Sequence, residues 1–245
     1  MLQIFLFLLP LTDAMFQFKE FTILQDRTAM KVGTDGVLLG AWADLEQARR
    51  ILDIGTGTGL IALMAAQRNN HAYIDAIEIE EHAFKQAQEN IAASPWKDRI
   101  HIEHTPLQYY SPNTRYDCIV CNPPFFINST KNPSDSRTLA RHNDTLPHEE
   151  LVDHAKRLLT SEGKLHLILP IGEAQELIAY AQKVNFHITH LTYVHPTPCK
   201  PPKRLLIELS IKQNAYYEDN ITIELGRHHY SEAYIKLTKQ FYLHM

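Results

Sequence analysis

The chain has 245 residues, 44% hydrophobic and 21% charged, enough apolar material for one globular domain with a substantial core. Its formal charge of -4 and pI near 6.4 exclude whole-molecule attraction to nucleic acid, so a polyanion could be held only by a local patch. Three cysteines without paired spacing fit a reducing, cytoplasmic compartment, and no apolar run is long enough to span a bilayer, so no membrane partner is expected.

Met1 to Ala14 holds the run Ile4-Phe5-Leu6-Phe7-Leu8-Leu9 with no basic residue ahead of it, unlike a secretory signal. Met15 offers a second start. Residues 1–14 are therefore expected to be an extension outside the fold or a mis-assigned start, and residues 15–245 a single domain, expected to be a monomer. Lys31 to Trp42 could cover a pocket, or form a capped amphipathic helix starting at Thr34 or Asp35. From Arg50 onward, strands and helices alternate. Arg50–Ile54 reads as a buried strand, Leu60–Arg68 as a helix, Tyr73–Ile79 as a strand and Glu81–Ala93 as a helix. Strands follow at Ile100–His104 and Tyr116–Cys121, then a helix at Glu149–Leu159, a strand at Gly163–Leu169 and a helix at Gly172–Val184. His187–His195 and Leu205–Lys212 close the series as strands. This alternation predicts a mostly parallel sheet covered on both faces, with ligands at the carboxyl ends of its strands.

Three loops carry the chemistry. Asp53-Ile54-Gly55-Thr56-Gly57-Thr58-Gly59 joins the first of these strands to its helix, and its glycines let the main chain approach a ligand closely. Alternating glycines differ from the dinucleotide fingerprint, so a zwitterionic amino-acid tail suits the loop better than pyrophosphate, with Asp53 available to the ammonium. Glu78 ends the next strand and can accept ribose hydroxyls. A ribose without pyrophosphate, beside an amino-acid tail, is S-adenosylmethionine.

The third loop is Asn122-Pro123-Pro124-Phe125. The Asn122 side-chain oxygen and the Pro123 carbonyl can each accept one hydrogen of an NH2 group, and Phe125 can stack on its ring. Taken alone, a strand ending in a Pro-Pro turn beside a core Phe would read the same. Cys118 and Cys121 lie in the preceding strand and face opposite sides, so no metal site is expected there. Lys131, Arg137, Arg141 and His142 follow in one loop, and Lys200, Lys203 and Arg204 lie in another. Surface charge is the commoner fate of such residues; two basic loops near one site favour phosphate contact.

With the glycine loop, the strand-end acid and Asn-Pro-Pro-Phe in this order, the chain resembles class I S-adenosylmethionine-dependent methyltransferases. Within them it is similar to the tRNA1(Val) (adenine(37)-N6)-methyltransferase family, from about Phe16 to His244. The resemblance implies a Rossmann-like α/β fold with a seven-stranded, mostly parallel sheet whose last strand is antiparallel. It implies that Asp53, Gly55 and Gly57 hold the methionyl part of S-adenosylmethionine and Glu78 its ribose, with Thr34 and Asp35 as further cofactor-binding residues in the segment that covers the pocket, while Asn122, Pro123 and Phe125 hold the target adenine. The partner implied is tRNA. In the broader superfamily an acid after the third strand often meets the cofactor's adenine. Here that stretch reads His104-Thr105-Pro106-Leu107, leaving a backbone group or Gln108 for the contact. A protein glutamine N5-methyltransferase would grip its amide in the same way; another RNA or DNA adenine-N6 methyltransferase, or a non-catalytic nucleotide-binding module, are further alternatives.

Overall fold

A computed structural model describes residues 14–28, 30–124 and 146–245. All but one of residues 1–14 lie outside that set. The first described residues form a hairpin, β1 (Met15–Gln17) with β2 (Thr22–Leu24). Helix α1 (Thr34–Trp42) leads into the alternating core: β3 (Arg50–Ile54), α2 (Leu60–Arg68), β4 (Tyr73–Glu78), α3 (Glu81–Ala92), β5 (Ile100–His104) and β6 (Tyr116–Cys121). The later half runs α4 (His148–Leu158), β7 (Leu159–Pro170), α5 (Ile171–Lys183), β8 (His187–His195) and β9 (Arg204–Ser210). It ends with β10 (Tyr217–Thr222), the short pair β11 (Glu224–Gly226) and β12 (His229–Tyr230), and α6 (Glu232–Thr238).

The main sheet has the order β10-β8-β9-β7-β6-β3-β4-β5. Its strands are parallel except β9, which runs antiparallel to both β7 and β8. Eight strands are present where seven were expected. The addition is β10, whose sequence Tyr-Glu-Asp-Asn-Ile-Thr is polar because it lies at the sheet edge and buries only Ile221 fully.

Strand alternation divides the core in two. On one face Ile51, Cys118 and Val120 pack with α1, α2, α3 and α6; on the other Leu52, Ile119 and Cys121 pack with α4 and α5. The two cysteines of β6 do face opposite sides, and all three cysteines are free. Leu151 and Leu158 of α4 are fully covered, each contributing about 2 kcal/mol by burial.

Two local expectations need correction. Helix α1 begins at Thr34, but its N-cap is Gly33 and no side chain caps it. It is not amphipathic either: Gly36 to Ala41 are all buried, because α1 is sandwiched between α2 and the sheet. Gly40 makes this possible, since an added Cβ would fall 2.7 Å from Met64 Sδ on α2. Strand β7 starts at Leu159 rather than Gly163, with its register against β6 shifting between Tyr116 and Cys118. That irregularity absorbs the residues from Thr160 to Gly163, which lie opposite Asp117 alone.

Candidate active site

Because β3, β4, β5 and β6 are parallel, Ile54, Glu78, His104 and Cys121 all end at one edge of the sheet. The chain passes from β3 through β4 to β5 on one side, then returns to β6 on the other. That reversal splays the loops after β3 and β6 apart and opens a crevice between them.

The glycine loop forms one wall. Gly55 and Thr56 N–H donate to Ile77 O at 2.9 and 3.1 Å, pinning the loop to the end of β4. Gly55 and Gly57 have φ of +67° and +59°, where a β-carbon is strained. A Cβ built on either would meet nothing within 4 Å, so the main chain here borders open space that a ligand can enter.

Asp53 lies beneath this loop rather than on its open side. Its Oδ2 accepts from Thr56 Oγ1 at 2.5 Å and from Ala62 N at 3.1 Å, which holds the loop against the start of α2. The carboxyl is 1% exposed, and that burial pushes its pKa up to about 7 despite these hydrogen bonds. Asp53 is placed to shape the cradle, and it does not line either cavity described below.

Glu78 is buried at the end of β4 and faces the crevice. Its Oε2 accepts from Gly57 N at 2.8 Å, and its Oε1 accepts from Ile79 N and Glu80 N, both at 2.9 Å. A carboxylate offers about four lone-pair sites, so these three bonds leave capacity for one more donor. Glu80, two residues on, caps α3 by accepting from His82 N and Ala83 N.

Two cavities meet at Asn122. One, of about 260 Å³, runs from Asn122, Pro123 and Pro124 past Gly55 and Glu78 to Ile79, Leu107 and Gln108. The other, of about 390 Å³, runs between the glycine loop and Lys31 to Gly36, so Thr34 and Asp35 line it. Met30, Gly55, Gly57 and Asn122 border both. Among the described residues, Asn122 Oδ1 is one of four buried side-chain atoms without a hydrogen-bond partner. An orphaned buried acceptor is costly; placed at this junction, it suits a donor brought by a ligand.

The structure thus brings together Gly55, Gly57, Glu78, Thr34, Asp35, Asn122 and Pro123. Phe125, Lys131, Arg137, Arg141 and His142 lie outside the described residues. Lys200 and Lys203 are exposed on the loop joining β8 to β9, a hairpin closed by Lys203 N donating to Val194 O at 2.9 Å. Arg204 reaches the site edge differently from what was expected: its Nε donates to Asp35 Oδ2 at 2.7 Å. Sequence reasoning missed Thr28, Met30, Ile79, Leu107 and Leu146, which also line the first cavity. Four of these are apolar, and in sequence a pocket wall and a core residue look alike.

No helix among the described residues is long and apolar enough to cross a membrane. Residues 30–192 match the Methyltransferase small domain family. A tRNA1(Val) (adenine(37)-N6)-methyltransferase of Phocaeicola vulgatus is 50% identical over 230 residues, covering 94% of this chain and 98% of that protein. One of the same name from Parabacteroides distasonis is 51% identical over 233 residues, with coverage of 94% and 98%. Among solved structures, a predicted O-methyltransferase from Agrobacterium tumefaciens superposes with a TM-score of 0.65 at 21% identity, covering 84% of this chain and 96% of that one. That likeness establishes the Rossmann-like class I methyltransferase fold. Relatives so similar over nearly their whole length establish more: the chain belongs to the tRNA1(Val) (adenine(37)-N6)-methyltransferase family.

Proposed function

We propose that this protein transfers a methyl group from S-adenosylmethionine to the exocyclic N6 of an adenine in tRNA, adenine 37 in the anticodon loop of tRNA1(Val). The observation that carries the reading is the orphaned Asn122 Oδ1 at the junction of the two cavities. The open cradle at Gly55 and Gly57 and the remaining acceptor capacity of Glu78 fit the cofactor. Gly55 and Gly57 would hold the methionyl part against their main chain, with Thr34 and Asp35 along the second cavity, and Glu78 would take a ribose hydroxyl. When bound, the cofactor's sulfonium supplies an electrophilic methyl group.

The protein's own contribution is alignment and charge. An aromatic amine is a poor nucleophile because its lone pair is delocalised into the ring. Asn122 Oδ1 and the Pro123 carbonyl, each accepting one amine hydrogen, favour a pyramidal nitrogen and stabilise the positive charge that develops on it. Held by Gly55, Gly57 and Glu78, the cofactor would supply the methyl group that N6 gains, and the methylated amine would release its extra proton to solvent. No general base is needed beforehand. Adenine in an anticodon loop is only partly stacked, so extruding it costs less than from a duplex. Lys200 and Lys203 would meet RNA phosphates, together with Lys131, Arg137, Arg141 and His142. Residues 15–245 would act as one cytoplasmic domain and as a monomer.

The test is incubation with labelled S-adenosylmethionine and total RNA from a strain lacking the protein, followed by nucleoside analysis. Label in N6-methyladenosine of the tRNA fraction is the expected result. Label on protein alone would point instead to a glutamine side chain as acceptor and overturn the reading.

A further inference from the structure

The short hairpin of β11 and β12 lines neither cavity, yet the fold roots it on the edge that carries the crevice. Strand β7 is parallel to β6, β9 reverses between β7 and β8, and β10 is parallel to β8, so His195 and Thr222 end on the same edge as Cys121. There Ile223 N donates to His195 O at 2.9 Å and Glu224 N to Pro196 O at 3.0 Å. These bonds fasten the start of the hairpin to the loop carrying Lys200 and Lys203. Its return is fixed as well: Ser231 N donates to Ile223 O at 2.9 Å, and Tyr230 stacks on the buried Tyr234 of α6 with ring centroids 5.3 Å apart.

The tip of this anchored hairpin is Arg227-His228-His229, all exposed. His228 has φ of +60°, where glycine would be unstrained, so the turn holds an imidazole at a conformational cost. Several exposed cations elsewhere are matched: Arg27, Lys85 and Lys212 pair with Glu89, Glu81 and Glu162. Among the described residues, Arg227, Lys200 and Lys203 have no carboxylate partner. In a chain of net charge -4, three unmatched cations on one edge supply the local patch that a polyanion needs.

Four strand spacings separate β6 from β10, about 19 Å, so the root of the hairpin stands too far from Asn122 to meet an extruded nucleotide. That separation suits the phosphodiester backbone of the folded RNA carrying the nucleotide. A guanidinium offers a phosphate two parallel N–H donors, and contacts of this kind fix register without reading sequence.

We propose that the β11–β12 tip is a second anchoring point for tRNA, with Arg227 gripping a backbone phosphate of the stem next to the anticodon loop. The inference rests on the reading of the crevice as a tRNA adenine methylation site. The consequence is orientation: a phosphate held far from Asn122 sets the direction in which the stem leaves the crevice, while Asn122 and Pro123 act on the base alone.

The test is a binding titration of the full chain with an in vitro transcript of tRNA1(Val), repeated between about 0.05 and 0.2 M salt. Each phosphate contact releases condensed counterions, so removing one lowers the slope of log affinity against log salt by about one. Arg227→Gln is expected to lose affinity by about five-fold and to show that shallower slope, whereas Arg227→Lys keeps the charge and is expected to keep the slope. Arg49→Gln removes the same charge from an exposed site just ahead of β3, on the opposite edge, and is expected to change neither. Arg227 is exposed at a turn, so its variants are expected to melt as the wild type does. An unchanged slope in Arg227→Gln overturns the proposal, and so does an equal loss in Arg49→Gln, which would be a general effect of charge. If the wild type binds and methylates the transcript and Arg227→Gln binds it equally well, this proposal fails and the tRNA reading stands. If the wild type neither binds nor methylates tRNA, both fail together.

Discussion

Arg204 Nε donates to Asp35 Oδ2 at 2.7 Å, joining the start of β9 to the first turn of α1. The pair is partly buried and links the wall of the second cavity to the loop carrying Lys200 and Lys203. Arg204→Met and Asp35→Asn are each expected to lower stability by about 1 kcal/mol. The double variant should cost less than the sum of the two single losses, because the bond the two side chains share is lost in all three. Chemical denaturation of the four proteins checks this, and additive losses would show that the two side chains act independently.

Asn122→Ala removes the orphaned acceptor without touching the glycine loop. Affinity for S-adenosylhomocysteine is expected to stay within about two-fold, while methyl transfer falls by about a hundred-fold or more. Calorimetry beside a single-turnover assay separates the two; an equal loss of both would remove Asn122 from the target side.

Gly57→Ala places a methyl group in the cradle at a φ of +59°. The strain should cost about 1 kcal/mol of stability, and affinity for S-adenosylhomocysteine should fall by about ten-fold or more. Gly59→Ala is the comparison. It carries similar strain at φ +84°, but its Cβ faces Ala87 at 3.5 Å instead of open space, so it should lose stability with a smaller loss of affinity.

The raised Asp53 carboxyl gives a pH signature. Burial, outweighing the bonds from Thr56 and Ala62, lifts it from 3.8 to about 7 in the folded protein. A group raised by folding contributes stability below its unfolded value and loses it as pH rises through the folded one. Thermal unfolding without ligand should therefore show a stability loss between about pH 4 and 7. Asp53→Asn, which cannot ionise, should flatten that segment; an unchanged slope would mean Asp53 is ionised throughout.

Glu208 gives the opposite sign. Burial alone would raise its carboxyl, but the His166 ring at 3.0 Å, the Thr189 hydroxyl at 2.6 Å and Lys164 overcome that and hold it at about 2, below the ordinary 4.5. Its contribution is complete above about pH 4.5 and is lost as pH falls towards 2. Glu208→Gln should be less stable at neutral pH and show a shallower acid limb in its melting temperatures.

How legible the molecule was in its sequence depended on local contrast. Tyr116–Cys121 and Leu60–Arg68 were delimited by largely apolar runs bounded by polar or glycine residues, and Ile100–His104 by alternation ahead of Pro106, and the observed boundaries coincide. Strand β10 was invisible because an edge strand needs little apolar surface, and the β1–β2 hairpin because three-residue strands carry no period. Gly55, Gly57, Glu78 and Asn122 could be read because each is a rare residue type for its place in a strand or turn. The pairing of Arg204 with Asp35 could not, since only the tertiary fold brings together residues 169 positions apart. The burial of Asp53 beneath its own loop was also hidden, because sequence gives the spacing of a carboxylate from its glycines and not the side on which it lies.

The sheet order sets a schedule for synthesis. Strand β8 pairs only with β9 and β10, both of which follow it in the chain. While the chain is being made, β3 to β6 can already pair with one another and close the crevice edge, but β8 has no neighbour to dock on until Ser210 has emerged. A nascent chain that has emerged only as far as the loop between His195 and Arg204 would therefore present a largely assembled crevice edge and one unmated strand, the state most open to capture by a chaperone.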